Sequence, residues 1–150
     1  MNEFVTRLGA TIRLDNSLVA ETRNRYFLLS EDLKKVLSED FFYAGIYLGK
    51  VKGNIFFPSF NLLRMITEGE ANKVTVDEKT EWLFICGRDI FKQGIMKVSG
   101  SKKKGDLTLI LNMHDESLGL GKILHALEEE RKGATIKNIL DIGDFLRRER

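Results

Sequence analysis

The chain has 150 residues, 43% hydrophobic and 31% charged, with a formal net charge of +2. That is the size of one ordinary domain or two small lobes, and it excludes a large two-domain enzyme, a disordered tail and a chain built of membrane-spanning helices. A lone cysteine, Cys86, excludes an internal disulfide and a zinc site made of several thiolates, and the start MNEFVTRLGA lacks the apolar run of a signal peptide, so the expectation is a cytoplasmic protein with no membrane contact. Nine Lys and Arg oppose nine Asp and Glu up to Asn72, against 15 and 13 from Lys73 onward, which puts the whole basic excess in the second half.

In chain order, Thr11 to Leu29 reads as two short strands, with Asp15-Asn16 and Thr22-Arg23-Asn24 supplying turn chemistry between or within them, a hairpin. Ser30 then offers an N-cap to a short helix carrying Leu33, Val36 and Leu37. The apolar, aromatic run FFYAGIYLGKVKGNIFFPSF suits strands that turn near Lys52-Gly53-Asn54 and stop at Pro58, after which Ser59 caps a helix with Phe60, Leu63 and Ile66 on one side and Gly69 just beyond it. TEGEANK is polar, and the style of the sequence changes after it, which sets a boundary near Asn72 between an N-terminal lobe, 1–72, and a C-terminal lobe, 73–150.

In the second lobe Lys73 to Val76 alternates like a strand, and Asp77 caps a helix EKTEWLFIC expected to place Trp82, Ile85 and Cys86 on its buried face. Ile95 to Val98, Leu107 to Asn112, Leu118 to Ala126 and Ala134 to Ile142 are strand-length segments whose spacing suits a small barrel or strongly curved sheet. GDFLRRER closes the chain with a turn or two of helix, Arg147, Arg148 and Arg150 facing its C-terminal dipole. The fold class is α+β in two lobes.

No HExxH, CxxC or comparable ligand spacing exists, the chain has two histidines, and GLGKIL has neither the third glycine nor the preceding strand of a dinucleotide loop, so no catalytic residue, metal or cofactor is expected. His114-Asp115-Glu116 reads as a turn, and Cys86 with His125 as packing residues and not a nucleophile and base. The candidates that remain are for phosphate. Gly119 and Gly121 alternate with Leu118 and Leu120, so the strand is expected to bury leucines on one face and leave bare backbone on the other, with Lys122 the first charge after it. Gly87 and Gly94 accompany Arg88 and Lys92 in the same way. Lys102, Lys103 and Lys104 form one basic cluster and Arg131, Lys132 and Lys137 another; taken as ordinary surface charges, these would pair with Glu128, Glu129 and Glu130.

The order KVTVDEKTEWLFICGRDIFKQGI, a basic turn, then KKGDLTLILNMHDESLGLGKIL resembles the PUA domain, an RNA-binding module, over Lys73 to Arg150. DIGDFLRRE and the FFYAGIYLGK segment are similar to a narrower group, the archaeal form of the Nip-seven family of large-ribosomal-subunit biogenesis factors. The resemblance implies an N-terminal α/β lobe with an antiparallel sheet, a C-terminal PUA-type β pseudo-barrel, no catalysis, and contact with ribosomal or precursor RNA. On the matched positions that contact falls on Lys122 beside Gly121 and on Arg131, Lys132 and Lys137, with Lys102 to Lys104 secondary. Two other readings stay open: an adaptor that anchors ribosome-assembly or RNA-processing proteins through the aromatic N-terminal lobe, and an accessory RNA-modification protein.

Overall fold

The computed structural model describes residues 1–144 apart from Arg13 and Glu39, so the arginines at 147, 148 and 150 lie outside the described residues. The elements are α1 (Asn2–Arg7), β1 (Val19–Thr22), β2 (Arg25–Leu28), α2 (Glu31–Val36), β3 (Ile46–Lys52), β4 (Ile55–Pro58), α3 (Phe60–Thr67), β5 (Lys73–Val76), α4 (Glu78–Ile85), β6 (Ile90–Phe91), β7 (Ile95–Ser99), β8 (Leu107–Leu111), β9 (Ser117–Ile123) and β10 (Ala134–Asp141). Strands β1 to β4 form an antiparallel meander. The second sheet has the order β6-β10-β9-β8-β5-β7, with β5 and β8 parallel, and curls into a pseudo-barrel plugged by Phe84 of α4. The fold is α+β, as expected.

Local chemistry explains most of these elements. Ser30, Ser59 and Asp77 each accept a hydrogen bond from the amide three residues on, at Leu33, Leu62 and Thr80, which satisfies orphan donors at the starts of α2, α3 and α4. The β1–β2 and β3–β4 hairpins each turn on two residues of positive φ, Arg23-Asn24 and Gly53-Asn54, the conformation that matches strand twist. The first expected strand is shorter than read: Asn16–Leu18 is a 3-10 turn whose Asp15 accepts from the Ser17 amide, and only Val19–Thr22 pairs. Two elements have no clear sequence signal: α1, which lacks a side-chain cap, and the two-residue β6.

The reading of α4 is corrected. Trp82 is 66% exposed and Cys86 is exposed, whereas Phe84 is fully buried. The inward face carries polar groups with partners: Thr80 packs over Gly94, and Glu81 accepts from the Asn112 side chain. Of the three residues expected inside, Ile85 does pack on the barrel core beside Phe84, but polar groups take the remaining inward positions, so no apolar stripe places Trp82 and it falls outside.

One core serves both sheets. Leu62, Leu63 and Ile66 of α3 pack between β3 and β9, joined by Phe4 and Val5 of α1, Leu8 just after it, Leu48 of β3, and Leu107, Leu109, Leu111 and Leu120 of β8 and β9. The alternate β8 residue Ile110 points into the barrel with Val74, Val76 and Ile136. Both faces of β8 are therefore buried, which is why LTLIL is apolar at every position except Thr108, itself buried. Asn72, where the chain passes from one sheet to the other, is 6% exposed and fully engaged. Its amide donates to Leu8 O, its carbonyl accepts from Leu109, its side-chain nitrogen donates to Leu107 O, and its side-chain oxygen accepts from the Ser101 amide.

The expected ridge of bare backbone does not form. Gly119 and Gly121 are buried, because β9 lies between β8 and β10 with both its faces covered. A methyl group on Gly119 would overlap the Leu140 carbonyl, brought over it by the register shift between Asn138 and Leu140, and one on Gly121 would lie 2.5 Å from Ile136 Cγ2. Both glycines exist for close packing and face no ligand.

Three outcomes follow from this packing. Asn72→Ala should cost about 2 kcal/mol or more by stranding the Leu107 carbonyl and the Ser101 amide, with Trp82 fluorescence and far-ultraviolet dichroism still giving one coincident urea transition; two separated transitions would contradict a shared core. Gly121→Ala should cost about 1–3 kcal/mol, and in the double variant with Ile136→Ala the loss should fall short of the sum of the singles. Hydrogen bonds from the Thr80 backbone and then its side chain hold the Asp77 carboxyl below its usual value. The stabilisation from the ionised cap is thus present above the unfolded-state value of about 3.9 and is lost as pH falls through the lower folded one, so Asp77→Ala should cost about 1 kcal/mol at pH 7 and progressively less in acid unfolding curves.

Candidate nucleic-acid interface

On the outer face of the barrel Lys122 of β9 is directly paired with Leu107 of β8 on one side and with Lys137 of β10 on the other. Paired residues leave the same face with Cβ atoms about 5 Å apart, so two exposed lysine side chains spring from adjacent positions, a placement in which like charges repel. Neither takes part in an ion pair among the described residues. The pair begins where the shared core ends: Leu107 and Leu120 are covered, and Lys122 is the next outward residue of β9. The strand register that makes this pair is not readable from either segment alone.

The basic turn 100–106 is pinned beside it. Gly105 N donates to Ile123 O at 2.8 Å and Ile123 N to Asp106 O at 2.9 Å, so the residue after Lys122 is bonded to the turn that carries Lys102, Lys103 and Lys104. Ser101 Oγ donates to the Asp106 carboxylate and closes the turn. Leu127 N donates to Lys102 O, which ties the same turn to the β9–β10 connection carrying Arg131 and Lys132. These seven cations, Lys102 to Lys104, Lys122, Arg131, Lys132 and Lys137, therefore belong to one set of linked segments at one end of the barrel.

The acidic triplet on that connection takes up part of the charge. Arg131 Nε is 2.6 Å from Glu129, Lys102 Nζ is 3.3 Å from Glu128, and Lys92 Nζ is 3.8 Å from Glu130 and donates to the Glu129 carbonyl. Pairing with Glu128 to Glu130, the ordinary surface-charge reading, thus holds for Arg131 and Lys102, whereas Lys103, Lys104, Lys122, Lys132 and Lys137 are exposed and in no ion pair among the described residues. Exposed pairs of this kind are worth about 0–1 kcal/mol, so the triplet reduces the local potential without locking the cations.

Arg88 stands apart. Its carbonyl, like that of Phe84, accepts from the Asn138 side chain, and Asp89 accepts from the Asn138 amide. Asn138 alternates with Lys137, so this connection lies against the inner face of β10, opposite the lysine pair. Lys92 belongs with the acidic loop and Gly94 is buried under Thr80, so the expected second cradle of glycines and cations is dispersed. The segment His114-Asp115-Glu116 is a turn, organised by the Asn112 side chain, which accepts from the amides of His114 and Glu116. Cys86 is exposed at the end of α4 and His125 is buried in the β9–β10 connection, with no hydrogen bond between them among the described residues. Among the described residues no group of His, Cys, Asp and Glu is placed to hold a metal ion and no helix is long and apolar enough to cross a membrane.

Comparison with known proteins places this geometry. The chain is 30% identical over 112 residues to the UPF0113 protein of Archaeoglobus fulgidus, covering 72% of this chain and 63% of that protein. It is 32% identical over 89 residues to the glutamate 5-kinase of Aquifex aeolicus, covering 55% of this chain and 25% of the kinase, so it spans only part of the length of both curated relatives. The fold is shared with a conserved PUA domain protein from Thermoplasma acidophilum, at a TM-score of 0.59 and 24% identity over 87% of this chain and 79% of that one. Residues 72–150, from the Asn72 joint through the whole curled sheet, match the UPF0113 PUA domain, and the chain belongs to that family.

Proposed function

We propose that the protein binds single-stranded RNA without catalysis, gripping the phosphates with Lys122 and Lys137 and drawing on Lys103, Lys104 and Lys132 around them. The observation that carries this reading is the pair of directly opposed lysines on a rigid sheet, a repulsive arrangement that an anionic chain relieves. Membership of a PUA domain family supports RNA as that chain. Resemblance to the Nip-seven group makes ribosomal or precursor RNA of the large subunit the expected target, and a cytoplasmic, archaeal-type ribosome biogenesis factor the expected role, alongside assembly or RNA-processing proteins. With the glycine backbone buried, side-chain cations carry the contact and recognition is of the backbone more than of sequence.

Three or four phosphate contacts to a single strand give a slope of log K against log salt of about −2 to −3. Reversing Lys122 and Lys137 together to Glu should remove about 1.4 from the magnitude of that slope and weaken binding of an oligouridylate about 10-fold or more in fluorescence anisotropy. Neutralising Glu128, Glu129 and Glu130 to Gln should tighten it about 2- to 5-fold. An affinity that is insensitive to salt, or unchanged in the reversed variant, would sink the assignment.

A further inference from the structure

The outer face of the first sheet carries a different arrangement of cations and rings. Arg25, Lys50 and Phe57 are directly paired across β2, β3 and β4, so their side chains form one row on one face, and Lys52, paired with Ile55, lies on the same face. The Arg25 guanidinium sits 5.1 Å from the centre of the Phe42 ring. Tyr43 stands edge-on to the buried Phe27 at 5.1 Å. These rings are seated by packing on one side and open on the other: Phe42 is 65% exposed, Tyr43 60% and Phe57 45%. The three cations have no acidic partner among the described residues.

A protein-binding patch collects apolar groups at its centre and excludes lysine from it. Here Lys50 stands in the middle of the row, between Arg25 and Phe57. Neighbouring strands about 4.8 Å apart put the backbone of Phe57 about 10 Å from that of Arg25, so Lys50 stands between an exposed ring and the Arg25–Phe42 pair. Single-stranded RNA uses both groups at once: bases stack on exposed rings for about 1–3 kcal/mol each while cations hold the phosphates between them. We infer that this face is a second RNA-binding surface, on which Phe42, Tyr43 and Phe57 stack bases and Arg25, Lys50 and Lys52 bind phosphate. It shares no residue with the barrel lysines and stands whether or not they bind RNA.

The test uses the full chain and a fluorescein-labelled 12-nucleotide oligouridylate, with ultraviolet crosslinking of the unmodified protein as a readout that needs no variant. Crosslinked peptides should include residues 42–57. Tyr43→Ala with Phe57→Ala should weaken binding at least 5-fold, Tyr43→Phe should bind like the parent, and Lys50→Glu, which breaks no ion pair, should weaken it with an unchanged unfolding midpoint. Loss in these variants with unchanged binding after Lys122 and Lys137 are reversed would support this surface and reject the barrel one. Parent-like affinity in Lys50→Glu together with crosslinks confined to residues 92–141 would overturn the proposal. Oligouridylate binding unchanged in Tyr43→Ala with Phe57→Ala, but weakened together with polyglutamate binding in Lys50→Glu, would also overturn it, in favour of an acidic protein partner.

Discussion

The apolar outer face of β8 and β9 cannot be left in water, and the cover that α1 and α3 provide for it organises the rest of the molecule. Leu107, Leu109, Leu111 and Leu120 would together form an exposed stripe on a free barrel; packed beneath Leu62, Leu63 and Ile66 they become a core common to both sheets. Asn72 seals the joint with backbone and side-chain bonds reaching Leu8 at the end of α1, β8 and the 100–106 turn. The cover stops at Lys122, so the same packing that stabilises the chain decides which part of the barrel meets solvent.

That boundary gives the cations their character. Lys122 and Lys137 project from paired strands whose backbone is held by ladder bonds, and their spacing is set before any ligand arrives. Lys102 to Lys104 sit on a turn bonded to the end of β9, while Glu128 to Glu130 draw on Lys92, Lys102 and Arg131. A fixed like-charge pair beside a loop of weak ion pairs suits a surface that holds phosphate and lets it go with salt.

Much of this was legible from local chemistry. Ser30, Ser59 and Asp77 announce helix starts because a short oxygen-bearing side chain followed by a helical pattern has one common use, and Gly53-Asn54 between apolar runs announces a hairpin. What was not legible depends on contacts distant in the chain. Trp82 reads as core until Thr80 and Glu81 are seen to occupy the inward face of α4, and Gly119 and Gly121 read as open backbone until β10 lies across them. Lys122 and Lys137 meet only through register, as do Arg25, Lys50 and Phe57, so no pattern within one segment shows either group. An apolar alternation tells which residues of a strand share a face, but the neighbour across the ladder decides whether that face is buried.

Lysine reactivity read by mass spectrometry, with and without saturating oligouridylate, tests the central claim most directly. The account predicts that Lys122 and Lys137 lose most of their acetylation when RNA is bound, while Lys79, remote from both surfaces in the chain, reacts unchanged. Equal acetylation of Lys122 and Lys137 in the two samples, under conditions where RNA is demonstrably bound, would contradict it.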